Sequence, residues 1–172
     1  MRMCSIASGS SGNCIYIGDE DTHILIDAGI SRKAIETGLK ELELSGNDLD
    51  GIFITHEHSD HVKGLGVMAR KYHIPMYGTK ETIEAVKAIS SLGNIGEELF
   101  HPVAAEEELQ LKTLTVKPFK VSHDGANPVA YRVESGEKKA AVATDLGIYN
   151  DYTIDHLKGL DVILLEANHD IR

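Results

Sequence analysis

The stretch that decides the fold is Thr55-His56-Glu57-His58-Ser59-Asp60-His61, which reads THEHSDH. Three histidines and two carboxylates occupy these seven consecutive positions. Residues 52–54, Ile-Phe-Ile, are typical of a short buried strand, and a helical pattern of apolar residues follows from Val62. The motif is therefore predicted to be a strand-to-helix loop, a place where a rigid scaffold can position functional side chains.

The spacing within this loop predicts a metal site. His56 and His58 are two positions apart, so their side chains point to the same side of an extended segment. Asp60 and His61 follow the turn and can serve a second position nearby. Neutral imidazole and carboxylate together suit zinc, manganese or iron. The alternative, a solvated polar loop, is disfavoured by the density of histidines beside an apolar strand.

Two later residues stand in similar places. His123 follows FKVS and Asp145 follows AVAT, so each comes directly after a strand-like apolar segment. Alone, either one reads as an ordinary turn residue at the end of a strand. Their shared placement predicts that they join the histidine loop, because a carboxylate such as Asp145 can bridge two metal ions about 3.5–4 Å apart.

The coarse pattern predicts a mixed α+β protein formed by one domain, residues 1–172. Short strands are expected at residues 5–7, 14–17, 24–26, 52–54 and 74–77, and later at 129–133, 140–143 and 161–165, while residues 109–121 form a strand-rich segment with alternation at 109–111 and again at 114–116. Helices are expected after the N-cap candidates Ser31 and Thr79, from Val62, and over residues 151–158. The first part of the chain is thus βα in character, and the part after Gly93 is rich in strands.

Composition limits the class of protein. The 172 residues are 42% hydrophobic and 26% charged, as in an ordinary globular domain with a real core. Residues 1–14 lack the long apolar stretch of a signal peptide, and no apolar run is long enough for a membrane span. With the cysteines Cys4 and Cys14 as free thiols, we expect a cytoplasmic protein that contacts no membrane. The residue types indicate no oligomeric state.

The net charge of −10 argues against a passive nucleic-acid binder, because such binding rests mostly on the neutralisation of phosphates. It argues less strongly against an enzyme that acts on nucleic acid, because divalent ions bound at the site add positive charge where the substrate must approach.

Several sequence blocks resemble a known family. THEHSDH, with the later HD at 123–124 and TDLG at 144–147, resembles the H-x-H-x-D-H pattern of the metallo-β-lactamase superfamily, and LIDAG at 25–29 resembles its early D-x-G. SIASGSSGNC at 5–14, VSHDGANPVAYRV at 121–133 and LLEANHD at 164–170 are similar to the YycJ (WalJ) subfamily. The resemblance implies an αββα sandwich with a dinuclear centre. It also implies a 5′-to-3′ exonuclease that hydrolyses phosphodiesters, with DNA favoured over RNA as substrate.

The resemblance also assigns roles to residues. It implies two divalent ions, zinc or manganese with iron as a further option, held by His56, His58 and His123 at the first position, by Asp60 and His61 at the second, and by Asp145 as the bridge. A metal-activated hydroxide would attack phosphorus. Asp60 is then also a catalytic residue, together with Glu166, which would orient a proton-donating histidine. The alternative for Glu166 is a surface carboxylate at the end of a strand.

Further residues have two interpretations each. Asp27 is either a partner that orients a ligand histidine or a turn residue beside the first helix. The stretch SGSSGN at 8–13 either offers backbone N–H groups to a phosphate or is only a tight turn. The superfamily supplies a late histidine to its second metal, and His169, expected beside the ligands, is the late candidate here. We therefore expect a C-terminally truncated domain that lacks its closing elements.

The ligand pattern leaves two other functions open. A thioester or lactone hydrolase of the glyoxalase II kind uses compatible ligands, so the motif alone does not separate it from a nuclease. A non-catalytic metal-binding module is the second alternative, and an incomplete second metal site would favour it. The sequence blocks outside the ligand set favour the nuclease.

Overall fold

The computed structural model describes residues 1–144, 146 and 150–165. The first part of the chain builds a six-stranded sheet in the order β1-β2-β3-β4-β5-β6. Its strands are β1 Arg2–Ala7, β2 Cys14–Gly18, β3 His23–Ile26, β4 Gly51–Phe53, β5 Met76–Gly78 and β6 Phe100–Pro102. The first three pair antiparallel, and β3 to β6 pair parallel, so the carboxyl ends of β3 and β4 lie side by side.

The helices of this part connect the parallel strands. They are α1 Arg32–Glu41, α2 Ser59–Val62, α3 Leu65–Tyr72 and α4 Lys80–Lys87. The predicted caps are confirmed: the Ser31 side chain accepts a hydrogen bond from the Ala34 N–H, and Thr79 accepts one from the Thr82 N–H. Each cap satisfies a backbone donor that a helix start leaves without a partner.

The second sheet has five strands in the order β11-β10-β9-β8-β7. They are β7 Leu109–Leu111, β8 Leu114–Lys120, β9 Val129–Ser135, β10 Lys138–Ala143 and β11 Val162–Leu165. A hairpin joins β9 and β10, with Gly136 at φ 58 in its turn. Helix α5, Asp151–His156, lies between β10 and β11, which pair parallel as a crossover connection requires.

Alternation along β2 shows how the layers stack. Tyr16 points into a core shared with the helical side chains Ile35 and Leu65, whereas Ile15 and Ile17 point into a second core. That second core contains Val116 and other residues of the five-stranded sheet, so it lies between the two sheets. A smaller cluster consists of Phe119, Ala130, Ala143 and Leu146. It packs against Leu157, at the C-terminal end of α5. The predicted αββα sandwich of class α+β is thereby confirmed.

Two predicted details were wrong. The helix after the histidine motif begins at Ser59 rather than near Val62, so Asp60 and His61 belong to its first turn. Hydrophobic periodicity placed the start late, because polar residues occupy that turn. Strand β6 was not predicted, since it is three residues long, partly exposed and ends in Pro102 at the sheet edge.

Candidate metal centre

The histidine motif is held at the carboxyl ends of β3 and β4. Asp27 directly follows β3, and its backbone N–H donates to the carbonyl of Phe53 at 2.8 Å. Thr55 donates its own backbone N–H to Asp27 Oδ1 at 2.8 Å, so the two strand ends are tied to each other. Buried parallel strands thus determine where His56 emerges, as the sequence pattern predicted.

The structure brings three of the predicted ligands together. His56, His58 and His123 each offer a ring nitrogen, and these atoms all lie within 4.8 Å of one another. The ring centroids of His56 and His123 are 4.7 Å apart, although the two residues follow strands of different sheets. Nε2 of His123 is buried and makes no hydrogen bond within the described residues. Converging imidazoles, one of them without a partner for its buried nitrogen, fit a divalent ion of the zinc type.

Asp60 and His61 lie beside this cluster. His61 is buried, and its ring centroid is 4.1 Å from that of His56. Its Nε2 is 3.5 Å from Asp60 Oδ2, so one nitrogen and one carboxylate oxygen face the same place. This pair can serve an ion next to the three-histidine cluster, because imidazole and carboxylate are both zinc and manganese ligands.

Asp27 contacts the other side of the His61 ring. Its Oδ2 is 2.6 Å from His61 Nδ1 and accepts a hydrogen bond from the Thr55 hydroxyl at 2.7 Å. Because a carboxylate only accepts, a ring proton must lie on Nδ1, and Nε2 is directed to Asp60. Of the two interpretations of Asp27, the geometry favours the partner that orients a histidine.

Asn13 was not identified as a site residue from the sequence. It is buried, and its Nδ2 donates to the backbone oxygen of Asp60 at 3.3 Å and to Asp60 Oδ2 at 3.4 Å. The same nitrogen is 3.3 Å from His61 Nε2. The SGSSGN stretch is a turn whose last residue packs against the predicted second metal position, and the sequence carries no signal for this contact.

The structure does not describe the remaining predicted site residues. Asp145, Glu166 and His169 lie outside the described residues, so their roles stay predictions. The residue before Asp145 is Thr144, which is buried at the end of β10. Cys14 is buried, and burial raises the pKa of its thiol far above the ordinary value, as expected for a core residue and not for a ligand.

Among the described residues, no helix has the length and apolar character needed to cross a membrane.

Comparison with known proteins places the chain in a known family. The family model for the beta-lactamase superfamily domain matches residues 22–170. The chain is 40% identical over 166 residues to exodeoxyribonuclease YycJ of Bacillus anthracis, and 37% identical over 166 residues to exodeoxyribonuclease WalJ of Streptococcus pneumoniae serotype 2. Each alignment covers 96% of this chain and 62% of the relative, so the chain spans less than two thirds of those proteins.

Solved structures show the same fold. The crystal structure of Zn(2+)-bound PqqB from Methylobacterium extorquens superposes with a TM-score of 0.74 at 18% sequence identity, covering 90% of this chain and 59% of that chain. At this identity, the likeness describes the fold alone.

Proposed function

This chain belongs to the beta-lactamase superfamily, and we propose that it is a metal-dependent phosphodiester hydrolase that degrades DNA. The observation that carries the proposal is the convergence of His56, His58 and His123 at one edge of the sandwich. The choice of DNA is supported by the two relatives named exodeoxyribonuclease. The same names support an exonuclease. Its 5′-to-3′ polarity is proposed from the sequence resemblance, and its location in the cytoplasm from the free cysteines.

The proposed centre holds two divalent ions, zinc or manganese, with iron as a further option. His56, His58 and His123 would hold the first ion, Asp60 and His61 would hold the second, and Asp145 would contribute to both. When bound, such ions lower the pKa of water and polarise phosphoryl oxygens, which is the chemistry that phosphodiester hydrolysis needs.

The protein's own side chains prepare the site. Asp27 accepts the Nδ1 proton of His61 and so orients the ring with Nε2 toward Asp60. Asp60 is a carboxylate with its oxygen near both Asn13 and His61, where it can bind an ion and accept a proton. We assign to Glu166 the orientation of a proton-donating histidine, and to His169 a place beside the ligands.

The charge of the chain shapes substrate binding. With a net charge of −10, the protein as a whole repels a phosphate backbone, and the ions supply positive charge at the site where the backbone must bind. We therefore expect DNA binding to require metal and to weaken as salt rises, because the contacts replace condensed counterions.

The test uses one set of assays on the 172-residue chain loaded with Mn²⁺ or Zn²⁺. Linear DNA labelled at either end, closed circular DNA, linear RNA and a thioester such as an acylglutathione are offered in parallel. The proposal expects mononucleotides released from the 5′ end of linear DNA, no cleavage of the circle, and loss of activity in His58→Ala.

The other outcomes separate the alternatives. Thioester turnover without DNA hydrolysis would overturn the proposal in favour of a hydrolase of the glyoxalase II kind. Tight metal binding without turnover of any substrate would instead indicate a non-catalytic metal-binding module.

A further inference from the structure

Glu57 lies between two of the clustered histidines, His56 and His58, yet it is not itself in ligand position. Its side chain turns to the segment 122–127, which leaves β8 and carries His123. Glu57 Oε1 accepts a hydrogen bond from the backbone N–H of Ala126 at 2.9 Å. The carboxylate therefore connects the segment that carries two histidines with the segment that carries the third.

The packing around this bond is close. A methyl group on Gly125 would lie 3.5 Å from both carboxylate oxygens of Glu57 and 3.6 Å from Cβ of His56. The backbone of the 122–127 segment thus lies directly against the histidine motif. Glu57 Oε2 is buried there and has no hydrogen-bond partner among the described residues. A buried carboxylate oxygen without a donor is costly in a neutral setting, and a nearby cation lowers that cost.

The other side-chain anchors of this segment act farther from His123. The hydroxyls of Thr79 and Thr82 donate to the carbonyl of Asn127 at 3.0 and 3.4 Å. The Asn127 side chain donates to Glu81 Oε2 at 3.1 Å on the exposed surface. These bonds attach the far end of the segment to α4, whereas the bond to Glu57 attaches its middle to the histidine motif itself.

His123 depends on this arrangement, because no hydrogen bond within the described residues fixes its buried Nε2. Its place opposite His56 is set by the backbone that carries it. Fixing that backbone before an ion arrives lowers the ordering cost of binding, which is the physical content of preorganisation.

We propose that Glu57 is a positioning residue of the three-histidine site, acting on His123 through the Ala126 N–H. The inference rests on the proposed ligand set, and it is independent of which ester the enzyme hydrolyses. The hydrogen bond to Ala126 needs an acceptor at the end of this side chain, and a glutamine oxygen can provide one.

The experiment compares Glu57→Ala and Glu57→Gln by zinc titration against a chromogenic chelator, with hydrogen exchange of the Ala126 amide measured in the metal-free proteins. Glu57→Ala is expected to weaken the first zinc site by about 10–100-fold, the usual effect of removing a group that orients ligands, and to speed exchange at Ala126. Glu57→Gln should restore most of the affinity and the amide protection. The matched control Glu81→Ala removes an exposed carboxylate anchor of the same segment and should leave zinc affinity within about threefold, as for most surface changes.

Wild-type zinc affinity in Glu57→Ala would overturn the proposal, as would equal weakening in Glu81→Ala. Glu57→Gln as weak as Glu57→Ala would also overturn it, because charge and not the hydrogen bond would then be responsible. His123→Ala separates this inference from the proposed ligand set: unchanged zinc binding there removes the set itself, whereas a failure of DNA hydrolysis alone leaves the role of Glu57 intact.

Discussion

Asp27 Oδ2 and His61 Nδ1 lie 2.6 Å apart in the interior, where both side chains are almost completely buried. Asp27 adopts φ 64, a left-handed backbone conformation that is uncommon for residues other than glycine. This conformation directs the carboxylate from the end of β3 to the start of α2. Strain of this kind persists where the surroundings enforce it, and here the donors are the Thr55 hydroxyl, the Thr55 N–H and the His61 ring.

Replacing Asp27 by Asn should disturb the metal centre without changing side-chain volume. An amide nitrogen placed opposite His61 Nδ1 would meet another donor, and the ring would have to move its proton to Nε2. We expect about 10–100-fold weaker binding of the ion at the Asp60–His61 position, measured by metal titration. Thr55→Ser keeps the hydroxyl and is the control. An unchanged affinity together with an unchanged His61 tautomer by NMR would contradict the orienting role.

Gly29 should be intolerant of a side chain. A Cβ at this position would lie 1.7 Å from the backbone oxygen of Asp60, so Gly29→Ala must displace the start of α2. We expect a loss of about 1–3 kcal/mol in the free energy of unfolding, typical of overpacking, together with weaker metal binding. The matched control is Gly78→Ala, where the nearest atom to a new Cβ is at an ordinary contact distance of 3.5 Å. Equal stability of the two variants in urea would refute the close approach.

Much of the site was accessible from the sequence because its chemistry is locally encoded. Closely spaced histidines after an apolar strand predicted a cluster that includes His56 and His58, and the strand before His123 predicted that it would join them. The family resemblance supplied the arrangement of two stacked sheets. The match over residues 22–170 confirms the family, and the core between the two sheets confirms the arrangement.

The rest depends on contacts that no local pattern reports. Asn13 meets Asp60 across 47 positions of sequence, and nothing in the SGSSGN stretch indicates that partner. The hydrogen bond between Glu57 and Ala126 joins residues 69 positions apart, so the sequence showed Glu57 only as a polar residue within the motif. The start of α2 at Ser59 was predicted too late for a different reason. Its first turn consists of polar residues of metal-ligand types, so it contributes nothing to the apolar periodicity by which a helix is recognised.

Asp19 should contribute a pH-dependent part of the stability. Partial burial acts to raise its pKa, but hydrogen bonds from the side chains of Thr113 and Ser135 and from the N–H groups of Asp21 and Thr22 lower the pKa well below its ordinary value. Because the folded-state pKa is depressed, this stabilisation is fully present above the unfolded value of about 4 and is lost as pH falls toward the folded value.

The measurement is urea unfolding of wild type and Asp19→Asn from pH 7 to pH 2. At pH 7 the variant should be less stable by about 1 kcal/mol, because Asp19 is partly exposed and solvent screens its interactions. The difference should shrink as the solution becomes acidic. Asp21→Asn changes an exposed neighbouring carboxylate and is the control. A difference that stays constant down to pH 2 would mean that ionisation of Asp19 does not contribute.

The two proposed ions should bind with unequal affinity. His56, His58 and His123 with the bridging Asp145 provide the first ion with one protein ligand more than Asp60, His61 and Asp145 provide for the second. An ion with fewer protein ligands depends on water or substrate to complete its coordination, and it dissociates more easily. Titration of the metal-free protein with Zn²⁺ or Mn²⁺ should therefore show two steps.

Asp60→Ala should abolish the weaker step and preserve the stronger one, whereas Asp124→Ala, which removes an exposed carboxylate next to His123, should preserve both. Two equal high-affinity steps in the wild type, or the loss of both steps in Asp60→Ala, would contradict the assignment of Asp60 to the second ion alone.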